Sequence, residues 1–573
     1  MGHFQRKLSH LPRVASAVSI SIYLLLALYG FSPALAAEEL YLDGPPRIGL
    51  ADGTYLPMQA FRLKGARTVW INKDYFRARG IDVDTKAGQA KLNRLMEKEF
   101  GYLVPNKSVP KNLLSSESKT FYPDGYGGPG LNGNYGGARA ASVADYQLKG
   151  LGPTTMLGAF ADADHSSGGV GAAQAMAEAI WSVILNRESP DGSNQVVALL
   201  DTGLYEPLAK GISQPRFLVV REDPLRPAHF IANPSKKDEA RTAIDAKRVS
   251  ENLDRLKNGK VINADLTKPG AADEMLSTFA DRVSAQWAYM HANLIHHGAV
   301  SPSNIDIRGP VLDLSSVSTL PGAMPAMAHD PLPFGDIKTV EKYLLKPFYD
   351  AIQESGQIPL SIDLETLQKK AEDAYNMHYR HELLRIAGMP DETAVTAADG
   401  PAGRQLVKLL DELRTTGYGE RLKTKAAVPE IKGTFDSMAI IRLLGKAPGK
   451  APDARALNKL LKGATPEEAA RLSKEITAKF GAFYEELFED GALRGMSQSA
   501  MEEAIARRTA DLARDRKALR RNIMSYLKKG VGAIGSRVGF YDMQAGIDKV
   551  IEQNTMREHL TRRRQPAFRS VPS

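Results

Sequence analysis

The feature that most constrains this chain is the absence of cysteine from all 573 residues. Disulfides, thiolate zinc sites, iron–sulfur clusters and cysteine nucleophiles are therefore excluded. A core of useful size is available at this length. With 43% hydrophobic and 25% charged residues the composition is ordinary for a globular protein, which excludes a largely disordered, collagen-like or polytopic membrane chain. At roughly 150 residues per domain, the length predicts three or four domains, or one large enzyme fold with additions.

The N-terminal segment predicts export. Basic residues precede an apolar run from Val14 to Phe31, and residues 33–36 read PALA, an A-x-A pattern. This layout is typical of a secretory signal peptide, so we predict a leader of residues 1–36 and a periplasmic or secreted protein. An uncleaved inner-membrane anchor is the alternative, because the run is near spanning length. No other membrane contact is expected, and the mild formal charge of +9 predicts no specific nucleic-acid partner.

The first half of the chain mixes helix and strand. Short strand-like runs and polar turns mark residues 37–120, of which 106–120 are interpreted as a linker or loop. A mixed α/β region follows over 121–235, with a long helix predicted from Ala172 to Asn186. Its short apolar runs predict strands at 196–200, 217–220 and 229–232.

The second half is predicted to be helical. Residues 236–400 are mainly helical and include one helix predicted over 281–297. Residues 401–560 form a helical extension, in which a capping pattern begins a long helix over 499–527. The basic tail 561–573 is predicted to be disordered.

A glycine-rich run, YPDGYGGPGLNGNYGGAR, occupies residues 122–139. Residues 128–133 satisfy G-x-G-x-x-G, but they do not lie between the strand and helix of a βαβ unit, so no dinucleotide site is predicted. A glycine loop can still bring backbone N–H groups close to phosphate oxygens. Arg139 at its end could pair with a phosphate through its guanidinium group. A flexible surface loop is the alternative interpretation.

A lysine follows on a predicted strand, in Gln147-Leu148-Lys149-Gly150, and Glu178 lies on the next predicted helix. A strand lysine can bridge nucleotide phosphates when a carboxylate on a nearby helix holds its ammonium group, as in kinase-like folds. A solvated surface pair is the alternative.

The third motif is HGAVSPSN at residues 297–304, followed by Asp313 within VLDL. A loop that presents Asn304 beside Asp313 would offer an amide oxygen and a carboxylate, the ligand types that suit Mg²⁺. A catalytic-loop Asn and a following Asp do this in kinases. Without other support, both residues are commonly turn formers.

These three motifs, in this order, resemble those of the selenoprotein O family, whose members have a kinase-like fold, bind ATP in an inverted orientation and transfer AMP to protein hydroxyls. The family pattern QLKGxGPTP reads QLKGLGPTT at 147–155, and the family's GDGRA reads GGARA at 136–140. The family's metal loop, HGVMNTDNxSxxG followed by IDYGP, reads HGAVSPSNIDIRG at 297–309, followed by LDL. The resemblance covers roughly residues 121–320 and continues weakly at 375–389.

The resemblance implies an α+β, protein-kinase-like two-lobed nucleotide-binding fold with a large helical C-terminal extension. Residues 121–235 would form the N-lobe with its glycine-rich loop, and 236–400 the C-lobe with its metal loop. The implied cofactor is ATP with Mg²⁺, or alternatively Mn²⁺. The implied partners are ATP and a protein substrate that the sequence does not name.

Site residues are implied in the same way. Asn304 and Asp313 would hold the metal ion, and Glu178 would orient Lys149. The implied nucleotide contacts are Gly136, Arg139, Lys149, Asp162, Arg221 and Arg226.

The chain also departs from the family pattern. Ser303 stands where the family has its catalytic Asp, and serine is a poor base, so Asp306 is the candidate replacement. Residues 168–174 read GGVGAAQ where the family has an arginine-rich helix start, and the family's C-terminal redox cysteine is absent. Our first hypothesis is protein AMP transfer. A nucleotide-binding pseudoenzyme and protein phosphorylation from the same scaffold are the alternatives.

Overall fold

The computed structural model describes residues 40–129, 131, 133–158, 166–207, 213–233, 239–319, 337–389, 400–415, 436–461, 465–493, 495–514, 516–533 and 543–555. The predicted leader 1–36, the tail 561–573 and Asp162 therefore lie outside the described residues. The described part is a mixed α+β fold with a helical C-terminal region, as predicted, and its sheets are antiparallel. None of the helices described there combines the length and apolar character needed to cross a bilayer.

The described strands form antiparallel sheets. The largest sheet has the strand order β2-β7-β8-β6-β5, and a smaller one has the order β3-β1-β4. Strands β9 and β10 pair with each other. The strands are β1 (Met58–Leu63), β2 (Arg67–Ile71), β3 (Tyr102–Leu103), β4 (Leu114–Phe121), β5 (Ala140–Val143), β6 (Tyr146–Lys149), β7 (Val196–Pro207), β8 (Ser213–Glu222), β9 (Ile295–His296) and β10 (Ser318–Thr319).

Helices dominate the rest of the described chain. Short 3₁₀ turns lie at Asp52–Thr54, Lys111–Leu113, Pro227–Phe230 and Leu314–Ser316. A π-helical turn, Glu341–Leu345, leads into α6. The helices are α1 (Lys73–Arg77), α2 (Lys86–Phe100), α3 (Ala172–Glu188), α4 (Glu239–Lys257), α5 (Ala271–Ala292), α6 (Lys346–Ser355), α7 (Leu364–Ile386), α8 (Pro401–Thr415), α9 (Ser437–Gly445), α10 (Ala454–Leu460), α11 (Pro466–Leu493), α12 (Gln498–Leu512), α13 (Arg516–Ala533) and α14 (Met543–Asn554).

Helix α3 is the centre of the fold around the site. It packs against β7 and β8 of the large sheet and also against α13 and α14. Its sequence, AAQAMAEAIWSVILNRE, is apolar on nearly all sides, which is typical of a helix that is covered all round. Trp181 and Ile184 belong to the main hydrophobic core. The helix is therefore fixed from two directions.

The smaller sheet corrects one prediction. Residues 106–120 were expected to form a linker or loop, but strand β4 runs from Leu114 to Phe121 and pairs with β1, with Met58 opposite Phe121. Its consecutive residues 116–118 are polar and exposed, whereas Lys119 and Phe121 are buried. The polar, exposed middle of an edge strand therefore hid the strand.

Residues 73–92 form a compact unit of their own, to which the described residues 40 and 41 also belong. Within it, the guanidinium group of Arg77 donates to both carboxylate oxygens of Asp84, at 2.7 and 3.3 Å. Asp82 accepts the backbone N–H groups of Asp84 and Thr85 at 3.1 and 3.0 Å, which shapes the turn before helix α2.

Two predicted elements near the site are different in the structure. Residues 229–232 were expected to form a strand, but Pro227–Phe230 is a 3₁₀ turn, because the N–H of Arg226 donates to Nδ1 of His229 at 3.1 Å. The helix expected over 281–297 instead runs over Ala271–Ala292. Leu294 then adopts a left-handed conformation (φ 56°), and Ile295–His296 is a strand.

The long helix predicted over 499–527 is also wrong, because the structure has two helices there. The hydroxyl of Ser497, rather than that of Ser499, caps α12 by accepting the N–H of Ala500 at 3.3 Å. Helix α12 ends at Leu512, and α13 begins at Arg516.

The C-terminal helices are tied to the large sheet and to α3 by polar contacts. Arg514 Nη2 donates to Glu188 Oε1 at 2.9 Å. The side-chain amide of Gln544 accepts the N–H of Ile71 at 2.8 Å and donates to its C=O at 3.1 Å. Trp70 Nε1 donates to Asp548 at 3.1 Å. Helix α14 thus packs against β2, the edge strand of the large sheet.

Candidate functional site

Strand β6 places two polar side chains on one face of the large sheet. It lies between β5 and β8, where Lys149 is opposite Ala140 on one side and Val219 on the other. Because side chains alternate along a strand, Gln147 and Lys149 point the same way. Both are buried, and Arg221 lies directly opposite Gln147 on β8.

Four charged side chains meet there. Lys149 Nζ lies 2.6 Å from Glu178 Oε1 on α3 and 2.7 Å from Asp313 Oδ1. Arg221 Nη1 lies 2.7 Å from the same oxygen of Asp313 and 3.8 Å from Glu178 Oε2. The side chains of Lys149, Glu178 and Arg221 are 3%, 1% and 3% exposed, whereas that of Asp313 is 34% exposed. Asp313 therefore lies where the cluster opens to solvent.

Asp313 is held in an unusual backbone conformation, with φ 57° and ψ 55°. The left-handed region is uncommon for residues other than glycine, and such residues are often found at functional sites. Burial would raise the pKa of this carboxyl, but Lys149 and Arg221 outweigh it and hold the pKa well below its usual range. Asp313 is therefore an anion held between two cations.

A second arginine lies beside the first. Arg226 Nη2 donates to Gln147 Oε1 at 3.1 Å, and the same oxygen accepts from Arg221 Nε and Nη2 at 3.1 and 2.7 Å. The guanidinium carbon of Arg226 lies 4.7 Å from the centre of the Tyr126 ring, which is a cation–π contact. Arg226 Nη1 is 3.8 Å from Asp124 Oδ2.

Asp124 connects the glycine-rich run to this pair. Its Oδ2 lies 3.0 Å from Nε2 of His229, whose Nδ1 accepts the N–H of Arg226, so the proton of this neutral ring is on Nε2. Burial lowers the pKa of His229. Burial alone would raise the pKa of Asp124, but Arg226 and His229 bring it below its ordinary value.

Gly136 is required for the backbone to pass close to Asp124. It has φ 148°, and a Cβ placed there would lie 2.1 Å from the carbonyl oxygen of Asp124. Glycine is the residue that tolerates both conditions. The expected nucleotide contact Gly136 is thus part of a tight loop directly behind Asp124.

Arg139 is not part of the four-charge cluster. Its Nη1 donates weakly to the C=O of Gly169 and to Gln174 Oε1, at 3.4 and 3.3 Å. Gln174 Nε2 in turn donates to Ser315 Oγ at 3.3 Å. Arg139 therefore lies beside the segment that starts α3, where the chain departs from the family pattern.

The two expected metal ligands lie on neighbouring backbone segments. The N–H of Leu312 donates to the C=O of Asn304 at 3.0 Å, which brings Asn304 next to the residue before Asp313. Asn304 Nδ2 donates to the C=O of Ala299 at 2.8 Å, so its amide oxygen is the atom that could bind a cation. His297 Nε2 lies 2.9 Å from the C=O of Leu312 and helps to fix this loop.

These oxygen donors fit Mg²⁺ or Mn²⁺ by type, since a carboxylate and an amide oxygen are suitable ligands when waters complete the shell. Within the described ranges, no group of three or more His, Asp and Glu side chains is placed to hold a metal ion. A divalent ion would therefore bind through Asn304, Asp313, water and substrate oxygens.

Asp306, the candidate base, is engaged elsewhere. Its Oδ2 accepts the N–H of Leu225 at 2.8 Å, and its Oδ1 accepts Nε of Arg308 at 2.6 Å. Its exposed fraction is 1%, so the geometry does not favour contact with a protein hydroxyl. Ser303 Oγ lies 2.6 Å from Ser301 Oγ and is also buried.

The sequence predicted that Lys149, Glu178, Arg221 and Asp313 belong to one site. It did not predict that Asp124 and His229 lie beside them. Asp124 lies within the glycine-rich run, and the prediction for that run was based on its glycines and not on Asp124. His229 was assigned to a strand. Gln147 was noted only as part of a motif, although its spacing from Lys149 already placed both side chains on one strand face.

We compared the sequence with protein-family models and with curated proteins. No protein-family model matches the chain, and no curated protein matches it either. The resemblance of residues 121–320 to the selenoprotein O family is therefore a proposal.

Proposed function

We propose that the protein binds ATP with a divalent cation and transfers AMP to Ser, Thr or Tyr hydroxyls of another protein. The observation that carries this proposal is the buried Lys149–Glu178 ion pair, which meets Arg221 and Asp313 at an opening of the sheet. A strand lysine held by a helix glutamate, next to a metal-binding Asp, is how protein kinases bind nucleotide phosphates.

The finer fold proposal follows from the same pair. Strands β5, β6, β7 and β8 with helix α3 would be the N-lobe of a protein-kinase-like fold, and α5 with the 297–313 loop would belong to its C-lobe. The position of Lys149 on β6 and Glu178 on α3 supports this assignment. The C-terminal helices would then be an addition to that fold.

In the proposed reaction, the acceptor hydroxyl oxygen attacks the α-phosphorus of ATP, and the bond to the β-phosphate breaks. Pyrophosphate leaves, and the hydroxyl proton passes to water. Lys149, Arg221 and Arg226 would neutralise the phosphate oxygens, while Asn304 and Asp313 would hold the cation. Bound Mg²⁺ supplies further neutralisation of the phosphate charge and helps to orient it. Phosphoryl-type transfer depends mostly on such positioning and charge, so a weak base is less damaging here than in other reactions.

A binding function without transfer is the second candidate. It is favoured by the contacts of the two residues considered as the base. Ser303 Oγ is hydrogen-bonded to Ser301 Oγ, and the carboxylate of Asp306 accepts hydrogen bonds from Arg308. Such a protein would bind the nucleotide and act through its surface. A third candidate, phosphorylation, uses the same residues with the nucleotide in the opposite orientation.

The deciding experiment incubates purified residues 37–573 with Mg²⁺ or Mn²⁺, varied acceptor proteins, and ATP labelled at either the α- or the γ-phosphate. The variants are Asp313→Ala and, as a matched control, Asp373→Ala, since Asp373 is 62% exposed on α7. Label from the α-phosphate alone, lost only in Asp313→Ala, is the expected result.

Label from the γ-phosphate would instead identify a kinase. Stabilisation by ATP in thermal unfolding, without label from either phosphate, would identify the binding protein. If neither ATP binding nor label is detected, the proposal fails.

A further inference from the structure

Gln147 is a fully buried neutral side chain between two candidate anion-binding arginines. Its Oε1 accepts three N–H groups, two from Arg221 and one from Arg226. One neutral oxygen thus holds two guanidinium groups side by side, although their like charges repel.

The orientation of this amide is set by its surroundings. Gln147 Nε2 faces Asp124 Oδ1 at 3.5 Å, while the other oxygen of Asp124 accepts from His229. Arginines can only donate and the carboxylate can only accept, so the reverse amide orientation would place donors against donors. The order of groups is therefore His229, Asp124, Gln147 and then the two arginines.

A neutral acceptor has a specific consequence for charge. A carboxylate in the place of Gln147 would bond both guanidinium groups but would also cancel one positive charge. The amide aligns them and leaves their charge available to a ligand. In the described structure this charge is met in part by Asp313, whose Oδ1 lies between Arg221 and Lys149. Asp124, whose Oδ2 is 3.8 Å from Arg226 Nη1, meets another part of it.

We infer that Gln147 is a positioning residue that holds Arg221 and Arg226 as a pair for an oligophosphate chain, the substrate class that this face of the sheet would bind. This inference rests on the proposed function, because it assumes that the cluster binds phosphate. The inference adds that the affinity for phosphate depends on Gln147, a residue that does not itself contact the ligand. Asp124 and His229 act one step further away by fixing the amide.

The test measures binding of inorganic tripolyphosphate without metal, and of ATP with Mg²⁺, by titration calorimetry on the purified protein. Gln147→Met keeps the length and removes the acceptor. Gln147→Glu keeps the bonds to both arginines and adds a negative charge. Gln353→Met, at an exposed position on α6, is the matched control.

We expect Gln147→Glu to weaken tripolyphosphate binding by about tenfold or more, because one charge of the pair is cancelled. Its second carboxylate oxygen would take the place of Nε2, which faces Asp124 Oδ1 at 3.5 Å, so a lower thermal midpoint is expected as well. Its binding should also depend less on salt. Gln147→Met should weaken binding as well, and Gln353→Met should not.

Three outcomes are decisive in the other direction. If the wild type and Gln147→Met bind tripolyphosphate equally, Gln147 does not position the pair. If the wild type and Gln147→Glu bind it equally, the neutrality of the acceptor has no effect on the ligand. Either result overturns the inference, while the proposed function stands. If the wild type binds neither tripolyphosphate nor ATP, the proposed function fails and the inference fails with it. If Gln147→Met does not fold, Gln147→Glu still tests whether the neutral acceptor matters for binding.

Discussion

Replacing Lys149 with Met should destabilise the protein, whatever its function. Glu178 is almost fully buried, and Lys149 lies 2.6 Å from its Oε1. In the variant, the nearest cation that the described structure gives Glu178 is Arg221, at 3.8 Å from Oε2. Removing one partner of a buried ion pair costs about 3–5 kcal/mol, because the other charge stays buried. Since Arg221 compensates in part, we expect about 3 kcal/mol, the lower end of that range.

A double variant separates the pair from other effects of the substitution. Replacing both members of a buried pair with apolar groups of similar size is often nearly neutral. Lys149→Met combined with Glu178→Leu should therefore lose less stability than Lys149→Met alone. Asp313 keeps its contact with Arg221 in both variants.

Urea unfolding followed by tryptophan fluorescence provides the measurement. Trp70, Trp181 and Trp287 are all buried, and Trp181 lies on the same helix as Glu178. Lys369→Met is a matched control, because Lys369 also lies 2.7 Å from a carboxylate, that of Asp373, but at a position 64% exposed. An exposed pair contributes only about 0.2–1 kcal/mol. Equal losses for Lys149→Met and Lys369→Met, or a double variant that is no more stable than Lys149→Met, would refute the reasoning.

Further predictions concern the rest of the fold. Arg514→Leu breaks the ion pair with the buried Glu188, whose Oε2 also accepts the hydroxyl of Tyr289. The loss in the same urea assay should therefore be smaller than the about 3 kcal/mol of an uncompensated buried charge, with partial recovery in Arg514→Lys; unchanged midpoints would contradict this. Gly136→Ala should destabilise by at least about 1 kcal/mol, because its Cβ would meet the Asp124 carbonyl, whereas Gly481→Ala, with open space on α11, should stabilise by about 0.5–1 kcal/mol. If the thermal midpoints of Gly136→Ala and Gly481→Ala shift in the same direction, this prediction is wrong. Asp313 has a lower pKa in the folded than in the unfolded chain, where it is about 3.9, so its contribution to stability is complete above that pH and is lost as pH falls below it. In Asp313→Asn the free energy of unfolding should therefore fall less steeply below about pH 5 than in the wild type. An equally steep fall in both proteins would contradict this prediction.

Local patterns predicted the elements around the site well. The helix expected from Ala172 to Asn186 is present as Ala172–Glu188, because an apolar run of that length has few other solutions. The runs 196–200 and 217–220 lie within β7 and β8, since β-branched and aromatic residues in short blocks favour buried strands.

Two of the errors have an identifiable cause. The polar, exposed residues 116–118 of β4 concealed a strand, and residues 227–230 form a turn in which the ring of His229 accepts the N–H of Arg226. The pattern of local hydrophobicity predicts neither. The roles of Asp124 and Gln147 could not be predicted either, because they depend on a contact between the glycine-rich run and two strands.

The pairing of Gln544 with Ile71 has a consequence for the order in which the molecule can be completed. An edge strand with open N–H and C=O groups can pair with another chain, and here a side-chain amide from 473 residues away occupies both groups of one residue. During synthesis, strand β2 leaves the ribosome long before helix α14 exists. The backbone N–H and C=O of Ile71, at the edge of the sheet that carries Lys149, therefore gain their Gln544 partner only after helix α14 has been made.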